Sequence, residues 1–210
     1  MNSSRNKDTR GQALRPAYVL DRIEAVPALV GDHREWLIVT GLAGTAKDIA
    51  ALTDDAHYTF TMAGVMGAAV CVGLGLALAQ PDKRVLVVTG DGELLMNVGS
   101  LATVAVVNPP NLAILCVDNG HYGETGYQRS HTSSGVDLEA IAGGAGIVNT
   151  RTVQSAEQLD DGARALREAN GVSFVLLRVK PTDPPKYARN LDANTCRSRF
   201  RSNLGVGWRD

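Results

Sequence analysis

The chain has 210 residues, of which 44% are hydrophobic and 20% charged, a composition that fits one globular domain with or without tails. A net charge of -1 argues against nucleic acid or an anionic membrane surface as a partner. Cys71, Cys116 and Cys196 lie far apart, with no CxxC pair or Cys/His cluster, which argues against structural zinc; Cys71 and Cys116 sit in apolar runs and read as small core residues in a reducing cytosol.

Residues 1–15 are polar, lack the apolar core of a signal peptide and read as a disordered tail. Val19, Ile23, Val26, Leu29 and Val30 recur at helical spacing and predict a helix over 16–30, with Pro16 in its first turn. A strand is predicted over 36–39, then a Gly/Thr turn over 40–45 and a short helix over 46–52. Glycine and threonine between a strand and a helix suit an anion at the helix N-terminus. Residues 64–79 read as a helix rich in small residues. The stretch 62–79 has the length of a membrane span but no aromatic belt or basic flank.

Continuous apolar strands over 84–89 and 112–117, separated by a helix over 93–107, indicate a parallel sheet covered on both faces. Residues 119–136 form a polar loop long enough to be functional. Next come a helix over 137–145 capped by Asp137, a short strand at 147–148 and an amphipathic helix over 155–170 begun by Ser155. A last strand spans 173–179. The expected division is a tail to residue 15, one domain over 16–180, and a basic, proline-bearing arm over 181–210 that packs on a surface.

The chemistry concentrates at two predicted strand ends. One runs into Gly90-Asp91-Gly92-Glu93; the next ends in Asp118-Asn119-Gly120. Parallel strands open their C-termini on the same edge, so Asp91 and Asn119 should face each other across a crevice. A carboxylate and an amide oxygen suit a hard cation such as magnesium, which takes oxygen ligands and completes its shell with phosphates. Gly90 and Gly92 let the backbone approach a diphosphate. The helix starting near Glu93 adds partial positive charge there. Glu93 should contribute its backbone N–H, because its carboxylate would repel a phosphate.

This GDG-x25-DN pattern resembles the GDG…NN motif of the thiamine diphosphate (ThDP)-dependent enzyme superfamily. The likeness extends upstream, where residues 61–68 (TMAGVMGA) are similar to the family's MLGSMG segment. It also extends downstream, where DNGHYGETGYQ resembles the loop of sulfopyruvate and phosphonopyruvate decarboxylases. The implied fold is α/β, a three-layer α/β/α sandwich with a mostly parallel sheet, of the pyrophosphate-binding type. The implied cofactors are thiamine diphosphate and Mg2+. By the resemblance Gly64 offers a carbonyl to the aminopyrimidine and Met66 wedges between the cofactor rings. Asp91, Asn119 and the backbone carbonyl of His121 hold the metal. Gly41, Gly44, Thr45, Gly90, Gly92, Glu93, Tyr122 and Gly123 complete the expected cofactor contacts. His121, Glu124 and His57 are candidates to face substrate or carry protons, and Arg129 is the candidate clamp for an acidic substrate tail. The doublet departs from the family's usual Asn-Asn, which leaves the substrate open.

The glutamate that activates ThDP in this family lies on a separate pyrimidine-binding domain, which this chain is too short to include. The resemblance therefore implies a partner subunit of similar size, an α2β2 or higher hetero-oligomer with its interface at residues 64–79 and 119–131. The reaction implied is decarboxylation of a small 2-oxo acid in the cytoplasm. An acetolactate-synthase-like carboligase shares every cofactor residue. A non-catalytic nucleotide-binding module is the other alternative, drawn from Gly73-Leu74-Gly75, although that pair falls mid-helix and before a strand.

Overall fold

The computed structural model describes residues 18–62 and 64–206; the expected tail and Pro16 lie outside them. Six parallel strands form one sheet in the order β2-β1-β3-β4-β8-β7. They are β1 (Trp36–Thr40), β2 (Thr59–Thr61), β3 (Arg84–Gly90), β4 (Leu112–Asp118), β7 (Asn149–Val153) and β8 (Ser173–Arg178). A two-stranded hairpin, β5 (His121–Tyr122) and β6 (Gln128–Arg129), stands apart.

The side-chain alternation of the strands sorts the core into two halves. Val85 and Val87 of β3 face one side, with Ile114 and Cys116 of β4. There they meet α3 (Ala69–Ala79), α4 (Asp91–Leu95), α5 (Ser100–Val107) and α6 (Leu138–Gly144). Leu86 and Val88 face the other side, with Leu115 and Val117, against α1 (Arg22–Val30), α2 (Gly44–Thr53) and α7 (Leu159–Glu168). Both faces are covered, which is why the central strands read as unbroken apolar runs. The three-layer α/β/α expectation holds.

Several boundaries differ from the sequence reading, each for a local reason. The first helix begins at Arg22, because Asp21 caps it by accepting from the Ile23 amide at 2.9 Å. Leu20 bridges Val179 instead. α3 begins at Ala69 rather than Gly64, since Gly64 and Gly67 take φ of +80° and +81°, outside the helical region. The expected 93–107 helix is two pieces, α4 and α5. Asn97 between them donates to the Gly67 carbonyl at 3.1 Å and fixes the break against the turn before α3. The strand expected at 147–148 lies at 149–153, an edge strand whose polar Asn-Thr-Arg-Thr run carries no apolar signal.

β2 is an unanticipated short edge strand, and the C-terminal arm contains α8 (Ala193–Asn203). Asp192 caps α8, and its Phe200 enters the core against Phe60, with ring centroids 5.6 Å apart. Cys71 is exposed rather than buried, because it lies on the outer side of α3. Gly73 sits within α3 where a Cβ would overlap Val87. Gly73 therefore serves helix-on-sheet packing, and the place of the Gly73–Gly75 pair ahead of β3 is not that of a dinucleotide loop.

Candidate active site

The strand order reverses direction around β1 and β3, and ligands of open α/β sheets bind beyond the strand tips at such a point. A cavity of ≈ 370 Å³ opens there, walled by the turns after β1, β3 and β4. The register pairs Thr40 with Val88 and Gly90 with Val117, so the three tips end side by side. Asp91 and Asn119 both line this cavity.

After β3 the chain turns directly into α4, and Asp91 is its first residue, 2% exposed. Its Oδ2 accepts from the Ser130 hydroxyl, and Thr132 Oγ1 lies 3.0 Å from the same oxygen. Burial raises its pKa, opposed by those hydroxyls and by backbone amides. Gly90 has open space where a Cβ would point, whereas a Cβ at Gly92 would overlap the Tyr122 ring. The Glu93 carboxylate turns back into the protein. It accepts from Thr89 Oγ1 at 3.0 Å and from the amides of Gly90 and Leu42 at 3.3 Å, tying the β3 turn to the β1 turn. Burial raises its pKa as well, and its Oε1 has no hydrogen-bond partner. Gly41 lies under this carboxylate, where any Cβ would collide with it.

At the end of β4, Asp118 is fully buried. It accepts from Thr132 Oγ1 at 2.7 Å and from the Gly120 amide at 2.9 Å, and the Tyr18 hydroxyl stands 3.4 Å away. Burial, then the neighbouring Asp91 charge, pushes its pKa up to about 7. Tyr18 in turn is pushed up to about 12, chiefly by burial. Asn119 folds into a tight turn: its Oδ1 accepts from the His121 amide at 3.0 Å, and His121 Nδ1 lies 2.9 Å from the Asn119 carbonyl. Gly120, at φ +68°, makes that turn possible.

Of the expected site residues, the cavity wall brings together Gly44, Thr45, Met66, Gly90, Asp91, Gly92, Glu93, Asn119, His121, Tyr122, Gly123 and Glu124. Four other expected residues lie off this wall. Gly41 is not on the wall; its place is steric, beneath Glu93. Gly64 is not on the wall either and has open space around it. His57 opens on a separate depression with Asp54, Asp55, Tyr187 and Arg199, because β2 carries the chain to the sheet edge. Arg129 is exposed on β6 and does not line the cavity.

The cations that do line it, Arg22 and Lys47, escaped the sequence reading. Arg22 is 4% exposed and forms a bidentate ion pair with Asp48, Nε to Oδ1 at 3.0 Å and Nη2 to Oδ2 at 2.6 Å. Asp48 nonetheless has a raised pKa, because desolvation outweighs the guanidinium's pull. The arm contributes Asp183 and Pro184 to the wall, with Asp183 accepting from the Tyr127 hydroxyl at 2.6 Å. No spacing rule links residues 22, 47, 130, 132 and 183; only folding does.

The donor set fits a hard cation with a diphosphate. Among the described residues no group of three His, Cys, Asp or Glu side chains could hold a metal, so a cation here takes one carboxylate, amide or carbonyl oxygens, and a ligand's phosphates. Gly90 leaves room for the phosphates. α2 begins at Gly44 without a side-chain cap, leaving its first amides for an anion.

These features define a doubly wound α/β domain that binds a phosphorylated cofactor at the strand tips of its switch point. Residues 41–177 match the model of the thiamine pyrophosphate enzyme, C-terminal TPP binding domain, and the chain belongs to that family. It is 35% identical over 183 residues to the sulfopyruvate decarboxylase subunit beta of Methanothermobacter thermautotrophicus, covering 87% of this chain and 94% of that one. It is 41% identical over 192 residues to a phosphonopyruvate decarboxylase of Streptomyces hygroscopicus, covering 89% of this chain and 46% of that one. The chain thus spans about half the length of the sulfopyruvate and phosphonopyruvate decarboxylases named without a subunit designation. In fold it is similar to the 2-oxoglutarate:ferredoxin oxidoreductase of Magnetococcus marinus, with TM-score 0.59 and 17% identity over 89% of this chain and 84% of that one.

Proposed function

We propose that this chain is the ThDP- and Mg2+-holding subunit of a decarboxylase for a three-carbon 2-oxo acid with an acidic tail, sulfopyruvate or phosphonopyruvate. The observation that carries the reading is the meeting of Asp91 and Asn119 at adjacent strand tips on one cavity. The names of the relatives support the substrate class.

In this reading Asp91, Asn119 and the His121 carbonyl hold Mg2+, and the first amides of α2 and α4 face the diphosphate. Lys47 supplies positive charge on the same wall, where the charge of Arg22 is balanced by Asp48. Met66 supports the cofactor rings. When bound, the thiazolium carbon of ThDP supplies the nucleophile and electron sink that decarboxylation needs. Tyr122 and Tyr127 keep bulk water from the reacting end, and Tyr127 is held by Asp183. His121 and Glu124 both line the cavity and are the candidates on this chain to carry a proton.

The Glu93 carboxylate is committed to the β1 turn, so the activating glutamate is assigned to a partner subunit. The apolar residues exposed beside the cavity, Val65, Met66 and Met96, support a partner surface there. The test is co-expression with the gene product that supplies the pyrimidine domain, followed by CO2 release and product analysis with sulfopyruvate, phosphonopyruvate and pyruvate. Turnover of an acidic-tailed substrate that needs both chains, and that Asp91→Ala abolishes, supports the reading. Full turnover by this chain alone, or retention of ThDP by Asp91→Ala, refutes it.

A further inference from the structure

Two hydroxyls stand between two buried carboxylates at the heart of the site. Ser130 is 2% exposed and Thr132 fully buried, and both come from the segment after β6, far along the loop from Asn119. Ser130 donates to Asp91 Oδ2. Thr132 Oγ1 lies 3.0 Å from the same oxygen, 2.7 Å from Asp118 Oδ1 and 2.9 Å from Ser130 Oγ. Two hydroxyl protons therefore serve two carboxylates, and both hydroxyls reach Asp91 through one oxygen, Oδ2. That arrangement fixes rotation about the carboxylate bond and leaves Oδ1 free of these two anchors.

Asp118 is the fixed point of the group. Its Oδ1 also accepts from the Gly120 amide at 2.9 Å, and Arg178 Nε lies 3.8 Å from its Oδ2, so its orientation is set from β4, from β8 and from the loop itself. Ser130 is held in turn, its amide donating to the Gly120 carbonyl at 2.8 Å. One loop thus presents Asn119 and His121 at its start and, at its end, the two hydroxyls that grip the carboxylate facing them.

We propose that Ser130 and Thr132 are positioning residues that aim Asp91 at the cation, with Asp118 as their anchor and not a ligand. This rests on the Mg2+–ThDP reading of the cavity. Groups that orient a metal ligand typically change metal affinity by about 10–100-fold when removed. Thr132→Val keeps the shape and deletes the hydroxyl, and Thr132→Ser restores it.

The experiment is calorimetric titration of Mg2+ into the full chain with its co-expressed partner at saturating ThDP, with circular dichroism to confirm folding. Thr132→Val should weaken Mg2+ binding by about 10–100-fold, Thr132→Ser should recover most of it, and Ser130→Ala should weaken it in the same direction. Should Thr132→Val fail to fold, Ser130→Ala decides. Wild-type Mg2+ affinity in folded Thr132→Val and Ser130→Ala overturns the positioning role, provided Asp91→Ala has lost binding. A wild-type protein without Mg2+-dependent ThDP binding, or an Asp91→Ala variant that keeps it, overturns the cofactor reading instead.

Discussion

Breaking the Arg22–Asp48 pair should reveal which partner the fold finds harder to leave alone, and the answer should depend on pH. Both side chains are almost fully buried. Asp48→Asn leaves a guanidinium that cannot lose its proton, at a cost of about 3–5 kcal/mol. For a chain of this size that is a fall in Tm of roughly 6–20 °C, independent of pH across the neutral range. Arg22→Met leaves Asp48, which can take up a proton, and burial already raises its pKa with Arg22 present. Its folded pKa then rises further above the unfolded value near 3.8, so the folded state holds a proton that the unfolded chain releases. Stability therefore falls as pH rises, by at most about 1.4 kcal/mol per unit, or up to about 4 kcal/mol between pH 5 and pH 8. The assay is thermal and urea denaturation of ligand-free protein at several pH values, with Arg22→Met/Asp48→Leu as the apolar replacement that should recover most of the loss. An Arg22→Met cost that stays flat from pH 5 to pH 8, or an Asp48→Asn cost below about 1 kcal/mol, refutes the reasoning.

Three further outcomes are expected. Gly92→Ala should lose about 1–3 kcal/mol of stability by pressing its Cβ into the Tyr122 ring, whereas Gly90→Ala should leave Tm unchanged and weaken ThDP binding, because its Cβ enters open space on the cavity wall; urea midpoints and ThDP titration separate the two. Lys47→Met should weaken ThDP binding by roughly tenfold while barely altering binding of unphosphorylated thiamine, as measured by calorimetry with each ligand. Asp118, with its folded pKa raised from 3.8 to about 7, should make the cation-free protein lose stability as pH climbs through that interval, read as a falling Tm, and Asp118→Asn should flatten the curve.

The central strands were legible because both sheet faces are covered, so β3 and β4 had to be apolar without interruption. The same logic failed at β7. An edge strand needs only half its residues buried, and its Asn-Thr-Arg-Thr run resembles a loop. Helix ends were misread where a side chain reaches a distant segment, as Asn97 between α4 and α5 does in donating to the Gly67 carbonyl. α8 was missed because its polar sequence carries only Cys196 and Phe200 as buried anchors.

What the amino-acid order alone determined was the meeting of Asp91 and Asn119 at one end of the sheet. Asp91 and Asn119 each follow a buried parallel strand directly, and adjacent parallel strands must open on one edge. What only tertiary structure decided was the company they keep. Arg22, Lys47 and Asp183 reach the cavity wall from three other stretches of chain, and Ser130 and Thr132 meet Asp91 from the far end of the loop that begins at Asn119. Short-range geometry repeats from protein to protein and can be read from spacing. Contacts between distant segments depend on how whole layers pack, and no local pattern encodes them.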